Sequence, residues 1–236
     1  MLRSGGNSEI ATLPFGSGMD FIRTVGIPTP FDNAVRVAVS GTAREIDAGR
    51  VRYHAWSGDE EERYFLNVGS AGMSAAVAQR ANAMSKTLGA KLTFYSALVT
   101  VFVRWKSTHV EVELDDGVRR SGRMFNVIVA NGVWQGGGMK IAPDALPDDG
   151  LFDVLTIGDV TKLDFARTSP KIYKGTHVHH PKVEVLRSRT VSIDGAEPLP
   201  IELDGEVVGT TPSSWEVVPH ALRIRVPNTG EPIVPR

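Results

Sequence analysis

Residues 136–153 read GGGMKIAPDALPDDGLFD and separate two apolar runs, Val127 to Ala130 and Leu151 to Ile157. Both runs are typical of buried strands, so the stretch between them is predicted to form a loop. Its three consecutive glycines permit close approach by another backbone segment or by a ligand. Asp148-Asp149-Gly150 predicts a tight turn whose oxygen atoms suit Mg²⁺ better than zinc. An acidic turn without a metal has the same pattern, so both interpretations are open at this point.

The composition is that of an ordinary globular protein. The 236 residues are 42% hydrophobic and 22% charged, which suits one large domain or two small ones. A net charge of -1 argues against nucleic-acid binding through bulk electrostatics. The sequence has no cysteine, which excludes disulfides and thiolate metal sites and is compatible with a reducing cytosol. Its apolar runs are shorter than the roughly 18 residues of a membrane span, so any membrane contact is expected to be peripheral.

A second glycine-containing segment lies near the start of the chain. Residues 13–21, LPFGSGMDF, predict a strand end, a turn and the first residues of a helix. Gly16 and Gly18 allow main-chain amides to point at an anion, although a loop that merely needs glycine has the same pattern. Further on, Asp32 is predicted to cap a short helix that stops at Gly41.

Two helices are predicted in the middle of the chain, over residues 74–84 and 91–105. In the second, Leu92, Tyr95 and Phe102 recur at three- and four-residue steps and share one face. An apolar stripe of this kind packs into a core or meets lipid.

The rest of the chain is dominated by predicted strands. Val110 to Leu114 alternates strictly, which predicts a strand with one solvated face, and Asp115-Asp116-Gly117 turns the chain back. Thr161, followed by Asp164, resembles a capping box and predicts a helix through Arg167. The spacing of the strands indicates a β-sandwich or a related two-sheet domain. The predicted strands are 44–53, 64–69, 110–114, 124–130, 151–157, 183–186, 190–193, 201–203, 215–218 and 222–226.

Another candidate site lies in Leu203-Asp204-Gly205-Glu206. Asp204-Gly205 is a hairpin-turn signal, and it would hold Glu206 at a loop edge beside the strands. A carboxylate in that place accepts a proton from a hydroxyl when a metal and positioned phosphates supply most of the charge stabilisation. A solvated glutamate after a turn is the alternative.

Three stretches, 13–21, 140–153 and 203–206, stand in the order seen in the bacterial diacylglycerol kinase and sphingosine kinase-like lipid kinases. Asn67-Val68-Gly69-Ser70-Ala71-Gly72 and His179-His180-Pro181-Lys182-Val183 also resemble that family, so the resemblance covers nearly all of the chain. It implies an α+β fold in which an α/β nucleotide domain related to NAD kinase joins a larger β-sandwich-like domain with helices. The active site of the family lies in the cleft between the two domains.

Applied to this chain, the resemblance implies three segments. Residues 1–45 would be part of the nucleotide-binding domain, with its N-terminal portion missing. Residues 46–226 would be the β-rich domain of the lipid kinase. Residues 227–236 would be a tail, with a return to the first domain left open.

The resemblance also assigns roles by position. Glu206 matches the general base, which takes the proton from the lipid hydroxyl as that oxygen attacks the γ-phosphate of ATP. Asp20 matches an acid of the catalytic metal network. Asp149 matches the carboxylate of a Mg²⁺ site whose other protein ligands are the main-chain carbonyls of Leu146 and Leu151. That site is expected to support its loop and to connect to the cleft through hydrogen bonds.

The ATP contacts implied by the resemblance fall on Gly16, Ser17 and Gly18, where Ser17 stands for the usual threonine. Met19 stands for the usual asparagine and lacks its side-chain amide. The family carries a glycine-rich ATP loop upstream of this segment, and Gly5-Gly6-Asn7 does not match it. Because such loops supply phosphate-binding amides, we expect this chain to bind ATP poorly or not at all.

His177, His179 and His180 form a further cluster of side chains that bind transition metals or lie near acidic headgroups in other proteins. The sequence fixes no acidic partner for them. A surface loop near the cleft is the expectation.

The leading hypothesis is an ATP-dependent lipid kinase that phosphorylates a hydroxyl of a diacylglycerol-like lipid, with Mg²⁺ as its cofactor. It would be cytoplasmic and would act peripherally at the inner face of the membrane. The alternative is a non-catalytic lipid-binding or regulatory fragment of such a kinase, and a soluble sugar or NAD kinase relative is a third hypothesis. The sequence leaves the acyl chains, the headgroup and a homodimer open.

Overall fold

The protein is a mixed structure in which strands dominate, as predicted. The computed structural model describes residues 8–16, 19–84 and 90–228. The helices in these ranges are α1 (Asp20–Thr24), α2 (Phe31–Ser40), α3 (Met73–Asn82), α4 (Ala90–Arg104), α5 (Lys162–Ile172) and a 3-10 helix (Thr176–His179). The strands are β1 (Glu9–Ile10), β2 (Thr42–Ala55), β3 (Glu60–Phe65), β4 (Val68–Gly72), β5 (Thr108–Leu114), β6 (Arg119–Ala130), β7 (Trp134–Gln135), β8 (Met139–Lys140), β9 (Phe152–Gly158), β10 (Val183–Ser188), β11 (Thr190–Gly195), β12 (Pro200–Leu203) and β13 (Glu206–Val226).

The main sheet closes on itself. Strands β6, β4, β12, β13, β11 and β5 are hydrogen-bonded in that order, and β5 pairs with β6 again. Closure leaves these six strands without a free edge. Beyond the ring, β9 and β10 extend the sheet from β6, while β2 and β3 extend it from β13. The β7–β8 hairpin stands apart from this sheet and encloses the three glycines 136–138.

Apolar side chains form three cores around the sheet. The first lies against the ring, where Phe65 contacts the rings of Phe152 and Trp215 at centroid distances of 5.7 Å each. Gly69 makes room for this cluster, because a Cβ there would lie 2.4 Å from the Trp215 ring. The second core joins α1 and α2 to the sheet, and the third joins α3, α4 and α5, with Phe102 stacked on Phe165 at 3.9 Å.

Two predicted strand boundaries were wrong. The predicted strand 64–69 is broken at Leu66 and Asn67, because the amides of these residues donate to the carboxylate of Asp204 and not to a neighbouring strand. The predicted strands 215–218 and 222–226 form one continuous strand, β13, which is antiparallel to β2 along most of its length. Between Val218 and Leu222, where the sequence suggested an interruption, the pairing of β13 with β2 shifts in register and the strand continues.

The helix predictions need two corrections. Asp32 is not the cap of α2; Pro30 occupies that position, and Asp32 lies in the first turn, where its charge favours the helix dipole. The capping box of Thr161 and Asp164 is confirmed, but α5 runs past Arg167 to Ile172 and contains Pro170. The helix continues because its apolar side chains pack on the third core, as tertiary contacts override local propensity.

The apolar residues of α4 lie on two faces. Leu98 and Phe102 are buried in the third core, which confirms the core interpretation for that side. Leu92, Val99 and Val103 are exposed along a neighbouring side of the helix. Among the residues that the structure describes, no helix is long and apolar enough to cross a bilayer.

The aromatic cluster on the ring generates a stability prediction. Replacing the fully buried Trp215 with alanine should lower the free energy of unfolding by about 3–5 kcal/mol, because the lost contacts leave a cavity. Trp56→Ala is the matched control, since Trp56 is 64% exposed, and its effect should stay within about 0.5 kcal/mol. Urea unfolding followed by far-UV circular dichroism measures both, and equal effects would contradict the assigned core.

Candidate active site

A cleft with both polar and apolar walls lies where α1, the β7–β8 hairpin and the turn between β12 and β13 meet. It has a volume of about 720 Å³. Asp20 and Glu206 both line it, together with Gly16 and the glycines 136 and 137. Three segments singled out in the sequence are therefore neighbours in space. Ser17 and Gly18, the other predicted nucleotide contacts, lie outside the described residues.

Asp20 is held by the triple-glycine segment. One carboxylate oxygen accepts a hydrogen bond from the Gly137 amide at 2.7 Å, and the other accepts one from Arg23 at 2.9 Å. Burial raises the pKa of Asp20, while the Gly137 amide and Arg23 act in the opposite direction. Gly136, Gly137 and Gly138 all have positive φ, which explains why the hairpin needs glycine here. The loop therefore turns an amide toward Asp20 in a conformation that other residues rarely adopt.

Glu206 lies at the start of β13, directly after the Asp204-Gly205 turn, as predicted. Its side chain is 79% exposed toward the cleft and solvent, and the Arg63 guanidinium lies 3.7 Å from its carboxylate. The position lets the carboxylate reach a group that enters the cleft from solution.

The Asp204 carboxylate fixes this turn. It accepts hydrogen bonds from the amides of Leu66, Asn67 and Val68, at 2.8, 3.0 and 3.0 Å. These three amides lie in and next to the segment that connects β3 to β4. Because β4 is paired with β12, the Asp204 turn is bonded to the neighbouring strand as well as to its own. On α3, Asn82 donates to the carbonyl of Gly205 at 3.0 Å.

Glu202 is a buried carboxylate that sequence reasoning did not single out. It is 1% exposed and accepts hydrogen bonds from Ser70, Gln135 and the Gly205 amide. Burial raises the pKa of Glu202 to about 7, and the hydrogen bonds from Gly205 and Ser70 oppose that shift. The signal in the sequence was a charged residue between Ile201 and Leu203 in an otherwise apolar strand.

The predicted metal turn lies in a separate groove, lined by Asp148, Asp149, Gly150 and His220 among others. The Asp149 carboxylate accepts the Leu151 amide at 3.1 Å, which holds Leu151 beside it, and it is paired with Arg187. Asp153 is buried nearby, and one of its carboxylate oxygens has no hydrogen-bond partner.

These donors suit a hard cation that keeps part of its water shell. One or two carboxylates with retained water molecules are a common arrangement for Mg²⁺. The Asp153 oxygen that lacks a hydrogen bond lies 3.9 Å from the Arg187 guanidinium. Burial raises the pKa of Asp153 to about 6, with Arg187 acting against it. Within the described ranges, no three His, Asp or Glu side chains form a metal cluster, so a site here needs main-chain ligands.

Hydrogen bonds connect this groove to the cleft. Asp47, fully buried, accepts the amides of Gly150 and His220. The Asn131 side chain donates to the carbonyls of Asp47 and Leu66, at 3.1 and 2.8 Å. Since the Leu66 amide donates to Asp204, the acidic turn and the Glu206 turn belong to one network. The family resemblance implied such a connection, but the sequence identified neither Asp47 nor Asn131.

An apolar cavity of about 80 Å³ lies beside the cleft, among α3, α4, α5 and the sheet. Phe94 and Gln135 line both spaces. His177 also lines the cavity and is buried, which corrects the expectation of a surface loop. Its Nε2 lies 3.0 Å from the Ile141 carbonyl, and burial lowers its pKa to about 4. His179 is exposed, and His180 lies 3.9 Å from Asp164.

Comparison with known proteins agrees with this architecture. Residues 67–226 match the YegS C-terminal NAD kinase beta sandwich-like domain, and residues 1–51 match the diacylglycerol kinase catalytic domain. The chain belongs to the bacterial diacylglycerol kinase-like lipid kinase family.

Individual relatives are distant in sequence. The diacylglycerol kinase of Bacillus subtilis (strain 168) is 26% identical over 220 residues, which cover 92% of this chain and 69% of that protein. The diacylglycerol kinase of Mycobacterium tuberculosis (strain H37Rv) is 27% identical over 228 residues, covering 96% and 72%. A solved structure of a diacylglycerol kinase from Bacillus anthracis str. Sterne has a TM-score of 0.66 at 16% identity, covering 97% of this chain and 70% of that one. At this identity, the structural likeness shows the fold.

Glu202 makes stability depend on pH in a defined direction. Its folded-state pKa of about 7 lies above the usual 4.5, so the folded chain binds this proton more tightly than the unfolded chain does. The resulting stabilisation is complete below pH 4.5 and is lost as the pH rises through 7. The melting temperature of the wild type should therefore fall, relative to that of Glu202→Gln, between pH 4.5 and 7.5.

Glu216→Gln is the control. Glu216 lies on β13, the strand that begins with Glu206, and its exposed side chain forms an ion pair with Arg50. Differential scanning calorimetry across this pH range measures all three proteins. A constant difference between wild type and Glu202→Gln would contradict the assigned shift.

Proposed function

We propose that the protein is an ATP-dependent lipid kinase that transfers the γ-phosphate to a hydroxyl of a diacylglycerol-like lipid. The observation that carries the proposal is one cleft that joins Asp20, held by Gly137, to Glu206, held by the Asp204 turn. Membership of the kinase family supports phosphoryl transfer as the reaction class.

In the proposed reaction, Glu206 accepts the proton of the lipid hydroxyl as its oxygen attacks the γ-phosphate and ADP leaves. Phosphoryl transfer needs little covalent chemistry from the protein, because positioning and charge stabilisation lower most of the barrier. Asp20 contributes a second carboxylate to the same cleft, at the position that matches an acid of the family's catalytic metal network. Gly16, Ser17 and Gly18 are the proposed nucleotide contacts.

The apolar surroundings of the cleft support a lipid acceptor. Phe94 and Gln135 form a wall that the cleft shares with the apolar cavity, so a lipid headgroup in the cleft lies next to apolar side chains. The cavity of about 80 Å³ is smaller than the roughly 150 Å³ that holds benzene in other proteins, so an acyl chain requires α4 or α5 to move. The exposed Leu92, Val99 and Val103 on α4 provide an apolar surface for peripheral contact with the inner face of a membrane.

Mg²⁺ is the proposed cofactor, and its structural site would use Asp149 with the carbonyls of Leu146 and Leu151. Bound there, the ion would neutralise charge and stiffen the acidic turn. Asp47 and Asn131 would connect the stiffened acidic turn to the Asp204 turn through hydrogen bonds.

The kinase reaction is tested by transfer of radiolabelled phosphate from ATP to vesicles that contain diacylglycerol. Glu206→Gln should lower the rate by about 10²- to 10⁴-fold, because the base is lost while the shape is kept. Glu216→Gln replaces another exposed glutamate on the same strand and should leave the rate unchanged. Equal rates for wild type and Glu206→Gln would exclude the assigned base.

The alternative is a non-catalytic lipid-binding or regulatory fragment of such a kinase. Sedimentation with the same vesicles distinguishes it. Vesicle binding without any phosphate transfer would favour the alternative, whereas product that depends on Glu206 favours the kinase. Transfer to a soluble sugar without vesicles would favour the third hypothesis.

The Mg²⁺ site is tested by a second measurement. Mg²⁺ should raise the melting temperature of the wild type, because binding to the folded state stabilises it, and Asp149→Asn should abolish the increase. Asp116→Asn is a matched control, since Asp116 also belongs to an Asp-Asp-Gly turn and accepts the amide two residues ahead at 3.0 Å. An equal Mg²⁺ response in both variants would exclude Asp149 as a ligand.

A further inference from the structure

Glu202 joins three parts of the site that are distant in sequence. Its Oε1 accepts the Gly205 amide at 2.6 Å and the Gln135 side chain at 3.2 Å. Its Oε2 accepts Gln135 at 2.9 Å and the Ser70 hydroxyl at 2.9 Å. All of these donors are neutral. A fully buried carboxylate is costly unless its oxygens are hydrogen-bonded, so these donors are what makes the position tolerable.

Two of the donors belong to opposite sides of the proposed reaction. Gly205 immediately precedes Glu206, so its position sets the start of the strand that carries the base. Gln135 lies in the wall shared by the cleft and the apolar cavity, where an acceptor would enter. Ser70 lies in β4, is fully buried and donates its hydroxyl to the other oxygen, Oε2.

We infer that Glu202 is a positioning residue that couples the acceptor wall at Gln135 to the turn that places Glu206. The inference rests on the proposed function for its chemical meaning, but the coupling itself is a property of the folded chain. Because Gln135 and Gly205 share Oε1, displacement of Gln135 changes how strongly that oxygen holds the Gly205 amide. A bound acceptor that moves Gln135 thereby changes the position of Glu206, the proposed base.

The ionisation of Glu202 provides an independent check. The carboxylate form can accept every one of these hydrogen bonds, whereas a protonated oxygen cannot accept fully from the donors that face it. Ser70 and Gln135 face Glu202 as uncharged groups, and Asp204 is the charged neighbour whose repulsion adds to the effect of burial. The coupling should therefore be stronger above pH 7 than below it.

The test measures amide hydrogen exchange at Gly205 by NMR, corrected for the intrinsic rate at each pH. Gln135→Ala should change the protection of Gly205 by about three- to tenfold, the equivalent of one hydrogen bond. In a Glu202→Gln background the same substitution should have less than half of this effect. In a Ser70→Ala background the effect should persist, because the Ser70 hydroxyl bonds Oε2, whereas Gln135 and Gly205 share Oε1.

If Glu202 had a purely structural role, Glu202→Gln would lower thermal stability but would leave the effect of Gln135→Ala on Gly205 unchanged. That result would overturn the inference. Should Glu202→Gln fail to fold, the comparison is made with Glu202 intact at pH 8 and pH 5.5. A larger Gln135→Ala effect at pH 8 supports the coupling, and equal effects at the two pH values overturn it.

Kinetics separates this inference from the proposed function. Where transfer is measured, Glu202→Gln should lower kcat by about 10- to 100-fold with the KM for ATP unchanged, because misplacement of the base impairs the chemical step. Coupling at Gly205 without phosphate transfer would overturn the kinase and leave the coupling supported. Transfer that depends on Glu206, with no coupling at Gly205, would overturn the coupling alone.

Discussion

The site depends on the carboxylate of Asp204, which accepts three consecutive main-chain amides, from Leu66 to Val68. Charge-assisted hydrogen bonds of this kind are stronger than those between neutral groups, and three on one carboxylate fix its position and its direction. The same contact has two structural consequences. It interrupts the strand between β3 and β4, and it anchors the turn that begins β13. Glu206 can therefore be exposed at the cleft while its backbone is tied to the sheet.

Around that anchor, buried acids support the turn from different directions. Glu202 holds Gly205 from within the sheet, and Asp47 links the acidic turn at Gly150 to Asn131 and Leu66. Burying carboxylates is costly, and a domain of this size would be more stable with apolar residues in their place. Burial raises the pKa of Glu202 and of Asp204, which both line the cleft, and acids perturbed in this way concentrate at functional sites.

Local signals in the sequence predicted the parts of the fold that depend on local physics. The alternation of Val110 to Leu114, the Thr161 capping box and the Asp204-Gly205 turn each have a mechanism within a few residues, and each is found in the structure. The predicted strand boundaries were wrong where a residue distant in sequence determines the local structure. The break at Leu66 requires Asp204, and the continuity of β13 requires β2 beside it. Likewise, Gln135 and Glu202 are unremarkable until the β7–β8 hairpin packs beside β12.

The two glycine-rich segments show how distant parts of a sequence make one site. Neither Gly136 to Gly138 nor the segment around Gly16 specifies a ligand by itself, because each is compatible with an ordinary loop. In the fold, the Gly137 amide donates to Asp20, so the hairpin that separates the two central strands also orients the acid at the start of α1. A side chain at Gly136 would lie 2.5 Å from Met139 and 2.7 Å from Phe94, the residue shared by cleft and cavity. Gly136 is therefore required twice, for the hairpin conformation and for the close approach of Phe94 to the hairpin.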